Sequence, residues 1–193
     1  MDYQLKSFAK FLISFAVVGF LFIYGPLLGV QARYNFKQIT GAAFNLSARP
    51  LDYDFDIVIP KIEANSKVYK NVNPGKYSEY IEILRKGVAH AAGTGLPGET
   101  KNIFLFAHSS VLLWELGRVN PVFYLLNKLE SRDLIILYYQ GQKYDYKVVE
   151  KKIISPKEVK DINEPGNDSL LILQTCWPAG TNFKRLLVTA KLV

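Results

Sequence analysis

The chain has 193 residues, one cysteine and a formal net charge of +7. This length fits about one domain plus a short flanking segment, and a single cysteine rules out an internal disulfide. The lysines are scattered and form no stripe interleaved with aromatic residues, which makes nucleic acid a poor candidate partner. An anionic lipid surface or an anionic envelope polymer is a better match to the positive charge.

The first predicted element is a long apolar segment. No charged residue lies between Lys10 and Arg33, and residues 11–32 read FLISFAVVGFLFIYGPLLGVQA. About 20 apolar residues are enough to cross a bilayer, and Lys6 and Lys10 on the N-terminal side predict a cytoplasmic N-terminus. We therefore expect residues 1–33 to form a cytoplasmic stub and a single-pass transmembrane anchor in the cell membrane, with the remainder of the chain extracytoplasmic.

A cleaved signal peptide is the alternative for this segment. Its apolar region is normally only about 7–15 residues long and ends at a small-x-small cleavage site. The candidate sites at 29–32 and 40–43 fit that pattern poorly, so a retained anchor is favoured. Outside the cytoplasm, an unpaired cysteine is either half of an intermolecular bridge or a reactive group.

Residues 34–55 are mixed and lightly polar, and we predict a linker with some helix there. From residue 56 to residue 193 the pattern is typical of a mainly β domain, with short apolar or alternating runs such as DIVIP, NIFLFAH, LIILYY, SLLILQTC and KRLLVTAKLV. Short helices are predicted at 78–86 and 121–129. So many short strands favour a closed or nearly closed β-barrel, which leaves few exposed edges.

Three side chains capable of chemistry stand at the predicted ends of strands. Cys176 ends SLLILQTC and is followed by the turn Pro178-Ala179-Gly180, so its thiol is expected at the barrel rim. His108 closes NIFLFAH in the same way. Arg185 opens the next strand, and hairpin geometry returns it to the side of Cys176.

A cysteine, a histidine and an arginine together are suited to acyl transfer. A thiolate attacks a carbonyl, an imidazolium gives a proton to the leaving amine, and fixed arginine donors stabilise the oxyanion. Each residue also has an ordinary structural interpretation: Cys176 as a small buried hydrophobe, His108 as a structural histidine and Arg185 as a surface charge. The residue types alone leave both interpretations open.

The motifs in chain order resemble the sortase family of membrane-anchored cysteine transpeptidases. The resemblance runs from about Asp56 to the C-terminus and rests on IVIPKIEANSKV, GVAHAAGTGLPGE, NIFLFAH and QTCWP followed by FKRLLV. It implies a closed eight-stranded sortase-like β-barrel with short helices behind the N-terminal transmembrane helix.

Carried onto this sequence, the resemblance assigns Cys176 as nucleophile, His108 as acid/base and Arg185 as the group that positions the oxyanion and substrate. It implies substrate contacts for residues beside these three, namely Thr175, Trp177, Ala107 and Ser109, and the loop at 110–113 is a further candidate for the groove. Ala107 and Ser109 stand where many members have glycine and arginine. His90, in the predicted glycine-rich loop, matches a histidine outside the catalytic set and is expected to be structural.

The implied reaction cleaves a C-terminal Leu-Pro-x-Thr-Gly-like sorting motif of an exported protein. A thioacyl enzyme forms and is resolved by an amine from peptidoglycan or from a pilin lysine, which anchors the protein to the cell wall. The resemblance implies no metal or organic cofactor, and the absence of dense acidic clusters predicts independence from calcium. The groove is expected to be apolar because it must hold a leucine and a proline.

Two other functions remain open from sequence. One is a membrane-tethered cysteine peptidase that mainly hydrolyses, and the other is a non-catalytic barrel that binds an envelope component, with Cys176 buried and inert. Within the sortases, the lack of a second apolar span after the last strand favours a housekeeping or accessory anchoring role over pilin polymerisation.

Overall fold

The computed structural model describes residues 2–40, 49–109, 121–163 and 169–193. The chain divides into two compact units, Met1–Ala43 and Phe44–Val193. The predicted linker contributes to both units: residues 34–40 are helical, and residues 41–48 lie outside the described residues.

The first unit is a single helix, α1, which spans Asp2–Thr40. Large apolar side chains are exposed along it, among them Phe11, Ile13, Phe15 and Val18. The last residue is tied to the preceding turn, because the Thr40 hydroxyl donates to the Phe36 carbonyl at 2.9 Å. None of the described residues belongs to a helix with the length and hydropathy of a membrane span.

The second unit is a closed barrel of eight strands, as predicted. Their bounds are β1 Phe55–Ile59, β2 Ala64–Val72, β3 Val88–Ala91, β4 Ile103–Phe106, β5 Leu134–Tyr139, β6 Gln142–Ile154, β7 Leu171–Trp177 and β8 Lys184–Leu192. Around the barrel the order is β1-β2-β3-β4-β7-β8-β6-β5. The β2–β3 and β4–β7 pairs are parallel, whereas the other pairs are antiparallel.

Two clusters of apolar residues form on opposite faces of the sheet, because successive side chains of a strand alternate between faces. Leu171 and Leu173 of β7 belong to the fully buried interior. An outer-face cluster lies against helix α2, Tyr77–Leu84, and comprises Val72, Leu84, Ala89, Ala91, Phe104, Phe106, Ile154, Ile172 and Leu187. The outer-face cluster therefore lies beneath the helix and beside the ends of β4 and β7.

The structure corrects two local expectations from the sequence. The predicted glycine-rich loop around His90 is strand β3, which pairs with both β2 and β4. Gly87 permits this close approach, since a Cβ there would lie 2.6 Å from the Lys67 carbonyl oxygen. The predicted helix at 121–129 is a series of turns ending in the 3-10 helix Leu126–Lys128.

Candidate active site

Cys176 and Arg185 face each other across the β7–β8 hairpin. Their Cα atoms are direct partners in the antiparallel register, so their side chains project from the same face of the sheet. The thiol is free and partly exposed. One guanidinium nitrogen, Nη1 of Arg185, donates to the carbonyls of Asn182 at 3.0 Å and Lys184 at 3.1 Å, which holds the cation at the turn between β7 and β8.

His108 follows directly from β4, which runs parallel to β7. Phe106 is paired with Gln174, and the Ala107 amide donates to the Gln174 carbonyl at 3.2 Å. His108 and Cys176 each lie two residues beyond this last pair, so the same register continued for two residues would align them. The carbonyl of His108 accepts a hydrogen bond from the Phe123 amide at 3.2 Å, which fixes the backbone just beyond the strand.

A hydrogen bond from Thr175 links β7, which carries Cys176, to the segment that follows β4 and leads into His108. The Thr175 side chain is only 3% exposed, and its hydroxyl donates to the Ala107 carbonyl at 2.9 Å. Since Ala107 precedes His108 and Thr175 precedes Cys176, this bond fixes the relative height of the two strand ends. Contact between Thr175 and substrate stays a prediction.

The remaining predicted substrate residues lie around the same rim. Trp177 is partly exposed and pairs with Lys184 on β8. Ala107 is buried, and Ser109 is also buried, with a hydroxyl that makes no hydrogen bond within the described part of the chain. The loop at 110–113 lies outside the described residues.

The structure gives His90 a different environment from that of His108. The side chain is fully buried, with its ring centroid 6.0 Å from that of Phe55. Its Nδ1 accepts from the Asn71 amide at 3.2 Å, and Nε2 lies 2.9 Å from the Gly95 carbonyl oxygen, so the proton is assigned to Nε2. Burial lowers the pKa of His90, although the Gly95 carbonyl opposes this shift. These contacts are those of a structural histidine.

Tyr80 of α2 is a neighbour of the site that sequence reasoning missed. Its ring packs edge-on against Phe106, with the centroids 6.1 Å apart. Burial and then Tyr77 raise the pKa of Tyr80, while Arg185 lowers it and Cys176 raises it. The phenol is therefore within electrostatic reach of Arg185 and Cys176, two of the three predicted catalytic side chains. The sequence predicted a helix at 78–86. It did not predict that Tyr80 of this helix packs against β4, because that contact depends on tertiary structure.

Among the described residues, no group of three or more histidine, cysteine, aspartate or glutamate side chains is arranged to hold a metal ion.

The sequence matches the family model for the sortase domain over residues 57–193. No curated protein matches the chain.

Several solved sortases share the fold. Sortase C1 of pilus island 1 from group B Streptococcus is 29% identical with a TM-score of 0.61, and the match covers 72% of this chain and 63% of that one. This chain thus spans less than two thirds of that protein. Sortase A from Corynebacterium diphtheriae, a lid mutant, is 25% identical with a TM-score of 0.60, covering 78% of this chain and 75% of that chain.

Sortase C from Clostridium perfringens SM101 is similar over more of its length, with 26% identity, a TM-score of 0.57 and 88% of each chain covered. With a family match across the whole barrel and these structural likenesses, the chain belongs to the sortase family, whose members are cysteine transpeptidases.

Proposed function

We propose that this protein is a cysteine transpeptidase that cleaves a Leu-Pro-x-Thr-Gly-like sorting motif near the C-terminus of exported proteins. The observation that carries the proposal is the shared register of three strand ends. Cys176 is paired with Arg185, and the parallel β4–β7 register runs to the Phe106–Gln174 pair, two residues before His108 and Cys176, which supports a position of His108 near the thiol.

The first half-reaction forms a thioacyl enzyme. The Cys176 thiolate attacks the backbone carbonyl carbon of the scissile bond, and negative charge develops on the carbonyl oxygen. Arg185 stabilises that oxygen, because a guanidinium remains protonated and offers several fixed donors. The imidazolium of His108 gives its proton to the departing amine, so the C–N bond breaks and the C-terminal tail leaves.

The second half-reaction transfers the acyl group to an amine acceptor. The neutral imidazole of His108 takes a proton from the incoming amine, which attacks the thioester carbonyl and restores the thiolate. An amine of peptidoglycan or a pilin lysine fits this chemistry. With a peptidoglycan amine the product is a protein linked covalently to the cell wall through a new amide bond, and with a pilin lysine the new amide bond joins the protein to the pilin.

Intact-mass spectrometry of the full chain tests the first half-reaction. The protein is incubated with a library of Leu-Pro-x-Thr-Gly-like peptides beside a Cys176→Ala control. We expect a mass increment equal to the N-terminal part of one peptide on the wild-type chain alone. No adduct and no cleavage with any peptide, together with resistance of Cys176 to alkylation in the folded state, would instead support a non-catalytic binding barrel.

Product analysis separates transfer from hydrolysis. With an added amine such as a peptidoglycan cross-bridge peptide, a transpeptidase converts the cleaved substrate mainly into the amide product. A peptidase that mainly hydrolyses yields the free acid at the same rate with and without the amine.

The proposal includes attachment of the protein to the cell membrane through α1, with the barrel outside the cytoplasm. Exposed apolar side chains such as Phe11, Phe15 and Val18 support it, as does the absence of charge between Lys10 and Arg33. Full-length protein made in cells is expected to fractionate with membranes and to resist carbonate extraction. Recovery in the soluble fraction with α1 intact would contradict the anchor.

A further inference from the structure

Gln174 lies directly below the nucleophile on the outer face of β7. Thr175 between them is buried, whereas Gln174 and Cys176 are both partly exposed, as expected from the alternation of side chains along a strand. Two residues of a strand span about 6.6 Å. A substrate peptide bound in extended form along β7 would cover the same distance with about two residues.

Apolar side chains surround Gln174. Its Cα partners are Phe106 on β4 and Leu187 on β8, and both partners belong to the buried outer-face cluster. Tyr80 packs its ring against Phe106 and so forms the neighbouring part of the wall. An amide at this position is thus the polar member of an otherwise apolar stretch beneath the thiol.

The amide oxygen of Gln174 is buried and has no hydrogen-bond partner in the described part of the chain. Leaving a buried acceptor unpaired costs free energy, so such an atom in a folded protein calls for an explanation. The adjacent Thr175 has its hydroxyl paired with the Ala107 carbonyl at 2.9 Å. The unpaired acceptor is therefore on the face of β7 that carries the predicted nucleophile, whereas the hydroxyl of the buried Thr175 is paired.

We infer that Gln174 is a specificity-determining residue, whose amide accepts a hydrogen bond from a polar side chain of the substrate about two residues from the scissile bond. The inference rests on the proposed transpeptidase function and deepens it. It departs from the expectation of a wholly apolar groove, because a leucine bound at this point leaves the amide oxygen unpaired whereas an asparagine of similar size satisfies it.

The test compares asparagine with leucine at each position of Leu-Pro-x-Thr-Gly-like peptides, using the wild-type chain, Gln174→Leu and Gln142→Leu. Gln142 is the matched control because it is an exposed glutamine at the start of β6. At one position we expect the wild-type chain to favour asparagine by about tenfold or more in kcat/KM, as sites built to hydrogen-bond reject analogues that cannot.

Gln174→Leu is expected to abolish or reverse that preference at the same position only, and Gln142→Leu is expected to retain it. Gln174→Leu should also melt at an equal or higher temperature than the wild-type chain, because it removes an unpaired acceptor. An Asn/Leu ratio that stays within about twofold of wild type in Gln174→Leu, or a wild-type preference for leucine at every position, would overturn this inference alone. A wild-type chain that forms no thioacyl adduct with any peptide would overturn the transpeptidase function, and this inference with it.

Discussion

One histidine of the chain lies within strand β3 and the other just after the neighbouring strand β4, and their surroundings differ. His90 lies within β3, fully buried, with hydrogen bonds at both ring nitrogens. His108 follows the end of β4 and is partly exposed. The comparison teaches that the position of a residue along its strand determines the chemistry available to it. Within a strand the imidazole is enclosed and bonds to backbone groups, whereas beyond a strand end it keeps some exposure to solvent.

The largest expected effect is that of His108→Ala on catalysis. Removing a general acid/base typically lowers turnover by about 10²–10⁴-fold, while a partly exposed side chain at a strand end contributes little to stability. The rate of thioacyl-adduct formation, followed by intact-mass spectrometry, measures the loss. Near-normal turnover in His108→Ala together with a loss in His90→Ala would reverse the assignment of the two histidines.

The pH dependence of unfolding tests the buried part of the barrel at Asp56, away from the predicted catalytic residues. Asp56 is fully buried on β1, and burial raises its pKa to about 7, although the backbone amides of Leu51 and Asp52 oppose the shift. The folded chain thus holds this proton over a range in which the unfolded chain, with a pKa of about 3.9, has released it. Stability from this group is complete below about pH 4 and is lost as the pH rises through about 7.

The loss has an upper bound of about 4 kcal/mol. Urea unfolding of wild type and Asp56→Asn between pH 4 and pH 8 measures it as the difference between the two profiles. We expect the wild-type chain to lose stability relative to the variant as the pH rises. Parallel profiles would show that Asp56 does not titrate in this range.

His90→Leu is expected to destabilise the barrel without altering the chemistry of folded molecules. It leaves the Asn71 amide and the Gly95 carbonyl without their partners, at a cost of about 2–3 kcal/mol. Asn71 has a positive φ of 58° and lies where the β2–β3 register shifts, so the loss is concentrated at this irregularity. Urea unfolding measures the stability, and the adduct rate per folded molecule measures the chemistry. Unchanged stability of His90→Leu would contradict a structural role for His90.

Thr175→Val is expected to give the smallest effect. It should lower both the stability of the barrel and the rate of thioacyl-adduct formation. Loss of the hydrogen bond to the Ala107 carbonyl should cost about 1 kcal/mol of stability and loosen the alignment of His108 with Cys176, lowering the adduct rate by roughly tenfold. Thr189→Val on β8 is the matched control, since Thr189 is partly exposed and lies away from the rim. Equal effects of the two substitutions would argue against a positioning role for Thr175.

The sequence predicted the structural features that depend on residues close together along the chain. The Cys176–Arg185 pairing follows from a turn between two apolar strands, and the apolar or alternating runs predicted β5, β6, β7 and β8. Strand β3 escaped prediction because Val88–Ala91 is short and flanked by glycines, and it is a strand only because β2 and β4 lie on either side. The height of His108 relative to Cys176 and the packing of Tyr80 on Phe106 depend on pairings that no local pattern encodes.

The parallel pairing of β4 with β7 also has a consequence for the order of folding. The hydrogen bond from Thr175 to Ala107 joins residues 68 positions apart, whereas Cys176 and Arg185 belong to one hairpin. Closing a long loop costs more entropy than closing a hairpin, and nonlocal pairings form slowly. We therefore expect nucleophile and cation to meet early, and the imidazole to join them only when the barrel closes. A newly synthesised chain would then complete the candidate site in the last step of folding.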